Sequence, residues 1–234
     1  MVILPNRTRL PYMTYHALIV AHGQPSDPEP AAAEIAALAA RVQAHLPDWD
    51  VQSATLAEQD ALARGVAGRT GVIYPLFMAE GWFTRVHLPE RLAQSGGEGW
   101  RILPPFGSDP ALIDLTLAVA AAQNRPILLA AHGSFRSPVP AQIADDMAAR
   151  IVAATGMPCR AGFIDQSPQI ADIAQDMPDA ACLPFFAARG GHVIDDLPQA
   201  LDAAGFAGPR LSPIGLDPAV PALIARALRQ TECM

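Results

Sequence analysis

HALIVAHG at His16–Gly23 returns as RPILLAAHG at Arg125–Gly133, with His132 standing 110 residues after His22. Working outward, YPLFMAEGWFTRVHLP (Tyr74–Pro89) is matched by LPFFAARGGHVIDDLP (Leu183–Pro198), and Gly81 and Gly190 stand 109 residues apart. A third pair, PFGSDP at Pro105–Pro110 and PIGLDP at Pro213–Pro218, follows at an offset of 108. Three blocks in one order at nearly constant spacing mark an internal duplication. The join falls near Ala122–Arg125, so the units expected are 13–122 and 123–234.

Each half repeats one grammar. A short apolar run (Ala17–Ala21; Ile127–Ala131) reads as a strand and ends at His-Gly. A helix follows, opened by Ser26 or Ser137 and early prolines, which suit the first helical turn. A second strand carries ATLAE or AGFID, a third GVIYPLF or ACLPFF, and a fourth RILPPF or PRLSPI before a closing helix. Strands alternating with helices imply parallel sheets covered on both faces, so two tandem four-stranded α/β lobes, Rossmann-like, are expected to face each other across a cleft. Ligands of such sheets bind beyond the carboxyl ends of the strands, where both His-Gly motifs and both glycine blocks fall.

Composition narrows the function. The chain has 234 residues, half of them apolar and only 17% charged, enough to bury a sizeable core. Net charge is −7 and all 16 basic residues are arginine. That balance argues against a nucleic-acid or membrane-surface binder, and any anionic ligand needs a local arginine cluster. Cys159, Cys182 and Cys233 show no CxxC spacing, which argues against a disulfide framework or zinc ribbon. No apolar run reaches the ~18–20 residues of a membrane span. MVILPNRTRLPY at the start lacks a secretory apolar core, so a cytoplasmic location is expected. With Met13 just before the first strand, residues 1–12 read as a disordered tail or a misassigned start.

GxSxG, HExxH and the phosphate-binding GxxxxGK[ST] are absent, and the glycines at Gly96, Gly97 and Gly99 precede a strand, so they read as a loop. The histidines carry the signal. His16 and His45 read as strand-edge and helix-surface residues. His132 and His192 fall at strand ends beside glycine, in corresponding repeat blocks, and should converge at one sheet edge. Two neutral imidazoles suit Fe2+, Co2+ or Ni2+, held loosely enough for delivery. Asp196 lies one turn after His192 and can orient it; with Asp195 it equally fits simple charge complementarity at a helix start. Arg136 and Arg189 flank the histidine motifs and suit carboxylates. Phe135 and Phe186 read as walls for a flat ligand or as core.

The pattern AHGS…FIDQSP…LPFFAARGGHVIDDLP resembles the CbiX/SirB group of class II tetrapyrrole chelatases, over Tyr15–Gln230 and in both halves. The resemblance implies insertion of a divalent metal, Fe2+ or Co2+, into sirohydrochlorin without ATP, for sirohaem or cobalamin. It implies no permanently bound cofactor, the metal being a substrate. By this resemblance His132 and His192 hold the metal and help remove pyrrole protons, with Asp196 in the family's aspartate position. Sirohydrochlorin carries eight carboxylates, for which Arg136 and Arg189 are candidates from one lobe and Arg85 from the other. A protoporphyrin-type ferrochelatase and a non-enzymatic metal or tetrapyrrole carrier are the alternatives.

The first half departs from the pattern: His22 remains, but Phe83 replaces the second histidine and His87 the aspartate. The metal site is therefore expected in the C-terminal lobe. Trp82 and Phe83 would offer the macrocycle an apolar wall, or else fill the lobe interface. A rival second site would pair His22 with His87.

Overall fold

The structure, a computed structural model, describes residues 15–233; the expectation for residues 1–12, and Met13 itself, lie outside the described residues. Two all-parallel sheets are present. The first holds β1 (Tyr15–Ala21), β2 (Trp49–Thr55), β3 (Val72–Pro75) and β4 (Arg101–Ile102) in the order β2-β1-β3-β4. The second holds β5 (Ile127–Ala131), β6 (Cys159–Phe163) and β7 (Ala181–Pro184) in the order β6-β5-β7. Helices α1 (Pro28–Gln43), α2 (Ala61–Val66), α3 (Leu88–Gln94) and α4 (Pro110–Ala122) belong to the first half. Their counterparts are α5 (Val139–Thr155), α6 (Ile170–Asp176), α7 (Leu197–Ala203) and α8 (Val220–Arg229).

The expected fourth strand of the second lobe is reduced to a single bridge between Cys182 and Arg210. The backbone N–H of Cys182 donates to Pro209 (2.8 Å) and that of Leu211 to Cys182 (2.9 Å). Proline at 209 and 213 brackets this stretch, and a residue without an N–H cannot continue a ladder. The first lobe's equivalent is also short, two residues before Pro104.

Each central strand is buried on both faces, as its unbroken apolar run requires. On β1, Ala17, Ile19 and Ala21 face one core while Leu18 and Val20 face another. On β5, Ile127, Leu129 and Ala131 face the first of these cores, and Leu128 and Ala130 a third. The core that β1 and β5 have in common is continuous through both halves, filled by α1, α4, α5 and α8. Each fully buried leucine or isoleucine there contributes ~1.5–3 kcal/mol. The two sheets are thereby fixed relative to one another. Contacts between α4 and α5, α1 and α8, and α4 and α8 join the halves along this seam. At the end of the chain Trp49 Nε1 donates to Glu232 (2.8 Å), and the Arg229 guanidinium donates to the His45 carbonyl.

Candidate metal centre

β1 and β5 both run out into His-Gly. Gly133 sits at φ +72°, and a Cβ there would meet the Gln166 side chain at 2.8 Å. Only glycine fits that tight left-handed turn, which swings the chain away directly after His132. Gln166 also accepts from the Ser134 N–H at 2.8 Å, so the loop after His132 is pinned to the loop after β6.

His192 opens a five-residue π-helical turn, His192–Asp196, that runs straight into α7. Its counterpart, Phe83–His87, runs into α3. Such turns recur at functional sites because the widened backbone re-aims its side chains.

The structure brings His132 and His192 together, ring centroids 4.4 Å apart and planes at 89°. His192 Nδ1 lies 2.6 Å from Asp196 Oδ2. His132 Nδ1 lies 3.0 Å from its own Gly133 carbonyl and 3.4 Å from Asp165 Oδ2. Carboxylates and carbonyls only accept, so each Nδ1 carries the proton and each Nε2 keeps a lone pair for a ligand. Among the described residues no group of three or more His, Cys, Asp or Glu side chains is placed to hold a metal ion. Two imidazoles then offer a sparse, labile donor set.

Both histidines line an opening of about 670 Å³ between the lobes. Its other walls include His22, Gln24 and Glu34 from the first half and Phe186, Arg189 and Gly191 from the second. A second groove, about 440 Å³, lies beside it; it is lined by Asp165, Asp196 and Gln199, and His192 is common to both.

The remaining candidates divide. Arg189 lines the opening, and its guanidinium is in no ion pair among the described residues. Arg136 is exposed beside Ser134, whose hydroxyl accepts from its backbone N–H at 3.1 Å, and does not line the opening. Arg85 is paired with Glu80 at 2.8 Å, which raises its pKa further and occupies its charge. Phe186 is buried and lines the opening, whereas Phe135 is 81% exposed. Asp195 lines the opening without touching either imidazole among the contacts that define the centre.

In the first lobe His22 packs against Phe83 at 4.5 Å, and His87 stacks on Trp82 at 4.8 Å. Phe83 thus fills the place that His192 takes beside His132. Burial holds the pKa of His22 down, with His87 and His132 adding to the effect. His16 is elsewhere, 3.4 Å from Asp50. Burial also pushes the thiols of Cys159 and Cys182 up to about 12, which leaves them unreactive.

Asp165 was not singled out by the sequence. The structure places it: Asp165 N–H donates to the His132 carbonyl as Ala57 N–H donates to that of His22, both at 3.0 Å. The two positions are equivalent, and one carries a carboxylate where the other carries a methyl group.

The CbiX family model matches residues 16–122 and again 126–231. Among solved structures, the CbiX that is the terminal enzyme for biosynthesis of sirohaem in denitrifying bacteria is 49% identical, with a TM-score of 0.85 over 92% of this chain and 98% of that one. SirB from Bacillus subtilis with Fe3+ is 19% identical (TM-score 0.73, 94% and 96% covered). The sirohydrochlorin chelatase SirB of subspecies spizizenii, in complex with cobalt, is 18% identical (TM-score 0.71, 94% and 95% covered). At those identities the SirB structures speak for the fold. The comparison with curated proteins finds no match. Matched twice over by one family model, and at nearly half its positions by a solved CbiX along almost the whole length of both chains, this chain belongs to the CbiX family.

Proposed function

We propose that this protein inserts a divalent metal, Fe2+ in the first instance and Co2+ as the alternative, into sirohydrochlorin without ATP. The observation that carries this reading is the pair of carboxylate-backed imidazoles facing an interlobe opening, in a chain 49% identical to the CbiX that ends sirohaem biosynthesis.

The chemistry exchanges one dication for two pyrrole protons. The metal, itself a substrate, is carried on the Nε2 lone pairs of His132 and His192. The Gly133 carbonyl holds the His132 ring in the right tautomer with the Asp165 charge beside it, and Asp196 does both for His192, raising the basicity of the rings. A cation near the pyrrole nitrogens lowers their pKa. As the metal passes to the ring, each Nε2 is freed and accepts one proton, two imidazoles for two N–H groups. Arg189 meets substrate carboxylates at the opening, with Arg136 at the rim; Phe186 lines its wall. Arg85, held by Glu80, is left out of this role. The C-terminal unit, 123–234, is the metal-handling lobe, and the N-terminal unit, 13–122, carries the degenerate motif and forms the opposing wall. We assign the protein to the cytoplasm, which its unpaired Cys159 and Cys182 fit.

The test is to mix protein, sirohydrochlorin and Fe2+, Co2+ or Ni2+ anaerobically and follow the visible spectrum of the macrocycle. Catalytic conversion, many turnovers per chain, is the expected result. Stoichiometric binding without turnover identifies a carrier, and turnover only with protoporphyrin identifies a haem-type ferrochelatase; either result overturns the reading.

A further inference from the structure

The two π-turns hang from equivalent glycines but are held in different ways. In the first lobe the Gly81 carbonyl accepts from the N–H groups of Thr84 (3.2 Å) and Arg85 (2.9 Å). The Thr84 hydroxyl closes the turn by accepting from Gly81 N–H (2.9 Å) and donating to Gly81 C=O (3.1 Å). In the second lobe the Gly190 carbonyl accepts from Val193 (2.9 Å) and Ile194 (3.1 Å) in the same way. Val193, however, stands where Thr84 does and has no hydroxyl, so the turn bearing His192 lacks the local clasp.

Its tie comes from the other lobe. Glu34 on α1 accepts from the backbone N–H of Arg189 at 3.0 Å, across 155 residues of sequence. The Gln24 side chain lies over the next segment, 3.5 Å from where a Gly191 Cβ would stand. The contact has no mirror image. The burial rhythm of α1 (Ile35, Leu38, Ala39, Val42) matches that of α5 (Ala144, Met147, Ala148, Ile151), which makes Ile143 the counterpart of Glu34. Isoleucine has no acceptor to offer the 79–82 segment. Of the two glycine loops, among the described residues, it is the one presenting His192 that carries this cross-lobe tie, and the tie puts a carboxylate in an opening meant for an anion-rich substrate. Such a charge is unfavourable there unless it is engaged.

We propose that Glu34 is a positioning residue: its hydrogen bond to Arg189 N–H latches the glycine loop to the opposite lobe and so sets His192 against His132. This rests on the chelatase reading for its consequence and on the hydrogen bond alone for its geometry. The latch also gives the N-terminal lobe a part in metal binding without any metal ligand of its own.

The experiment compares Glu34→Ala and Glu34→Gln with the wild-type chain. Co2+ binding to protein alone is followed by visible absorption, and kcat, KM for the tetrapyrrole and Tm are measured beside it. Glu34→Ala should weaken Co2+ binding by about tenfold or more, the scale of losing an outer support, and lower kcat, with little change in Tm. Glu34→Gln keeps an oxygen that accepts the same N–H and should stay within about twofold of wild type, since only charge is lost. Adding Val193→Thr to Glu34→Ala supplies the clasp seen at Thr84 and should restore Co2+ binding. Wild-type Co2+ affinity in Glu34→Ala overturns the latch, as does equal weakening in Glu34→Gln. Because Co2+ binding is read without the tetrapyrrole, a wild-type chain that binds Co2+ but inserts nothing would sink the chelatase reading and leave the latch standing.

Discussion

The two lobes begin from the same layout and end in different chemistry. In the second, His132, His192, Asp165 and Asp196 form two imidazoles, each with a carboxylate within 3.4 Å of its Nδ1. In the first, the same four places hold His22, Phe83, Ala57 and His87, and the space is closed by ring packing from 4.5 to 5.7 Å. The backbone turn is the same in both lobes, and the side chain it presents is a hydrocarbon ring, Phe83, in one and an imidazole, His192, in the other.

The largest expected effect tests which lobe handles metal. His132→Ala or His192→Ala should lower insertion by at least about 100-fold, and Asp165→Ala or Asp196→Ala by about 10- to 100-fold through metal affinity. His22→Ala and His87→Ala should retain most of the activity. Steady-state rates with Fe2+ decide this, and the reverse order would exchange the lobes. A middle-sized effect separates the arginines. Loss of a charge-assisted hydrogen bond is worth ~1.5–3 kcal/mol, so Arg189→Ala should raise KM for sirohydrochlorin by roughly tenfold or more. Arg85→Ala, already neutralised by Glu80, should leave KM alone; a matching rise would place Arg85 at the substrate. The smallest effect is in pH. Burial depresses the folded pKa of His22, so the unfolded chain binds the extra proton first. This contribution to stability is complete above the unfolded value, about 6.5, and is lost as pH falls below it towards the folded value. Denaturation midpoints should drop between pH 7 and 5, less steeply in His22→Gln. An identical slope in that variant would assign the loss to other groups.

The duplication, the parallel sheets and the pairing of His132 with His192 were legible because each is written in local pattern: apolar runs, His-Gly strand ends, and a repeated glycine block. Asp196 was legible for a similar reason, standing four residues from its partner. Asp165 was hidden because its link to His132 runs through strand register. Ala131 pairs with Phe163, and beyond that pair the Asp165 N–H reaches the His132 carbonyl. Nothing near Asp165 in sequence says so. The Glu34 contact is more remote still, depending on how two lobes sit together. The pairing of Arg85 was not legible either, because charge pattern does not reveal that Glu80, five residues back, curls round the turn to meet it. The missing fourth strand was in principle readable from Pro209 and Pro213, yet a strong repeat argues for symmetry even where one copy has given it up.

The continuous core through both halves has a consequence for ancestry. A chain of one half alone would leave bare the apolar surface that its twin now covers, and a two-fold pair of identical halves is the simplest way to cover it. Identical subunits must mutate together, and such a pair carries either two complete centres or none. Joining the copies end to end removes that constraint. The two copies are then free to differ, and they do: Phe83 stands in one where His192 stands in the other, and Ala57 where Asp165 does.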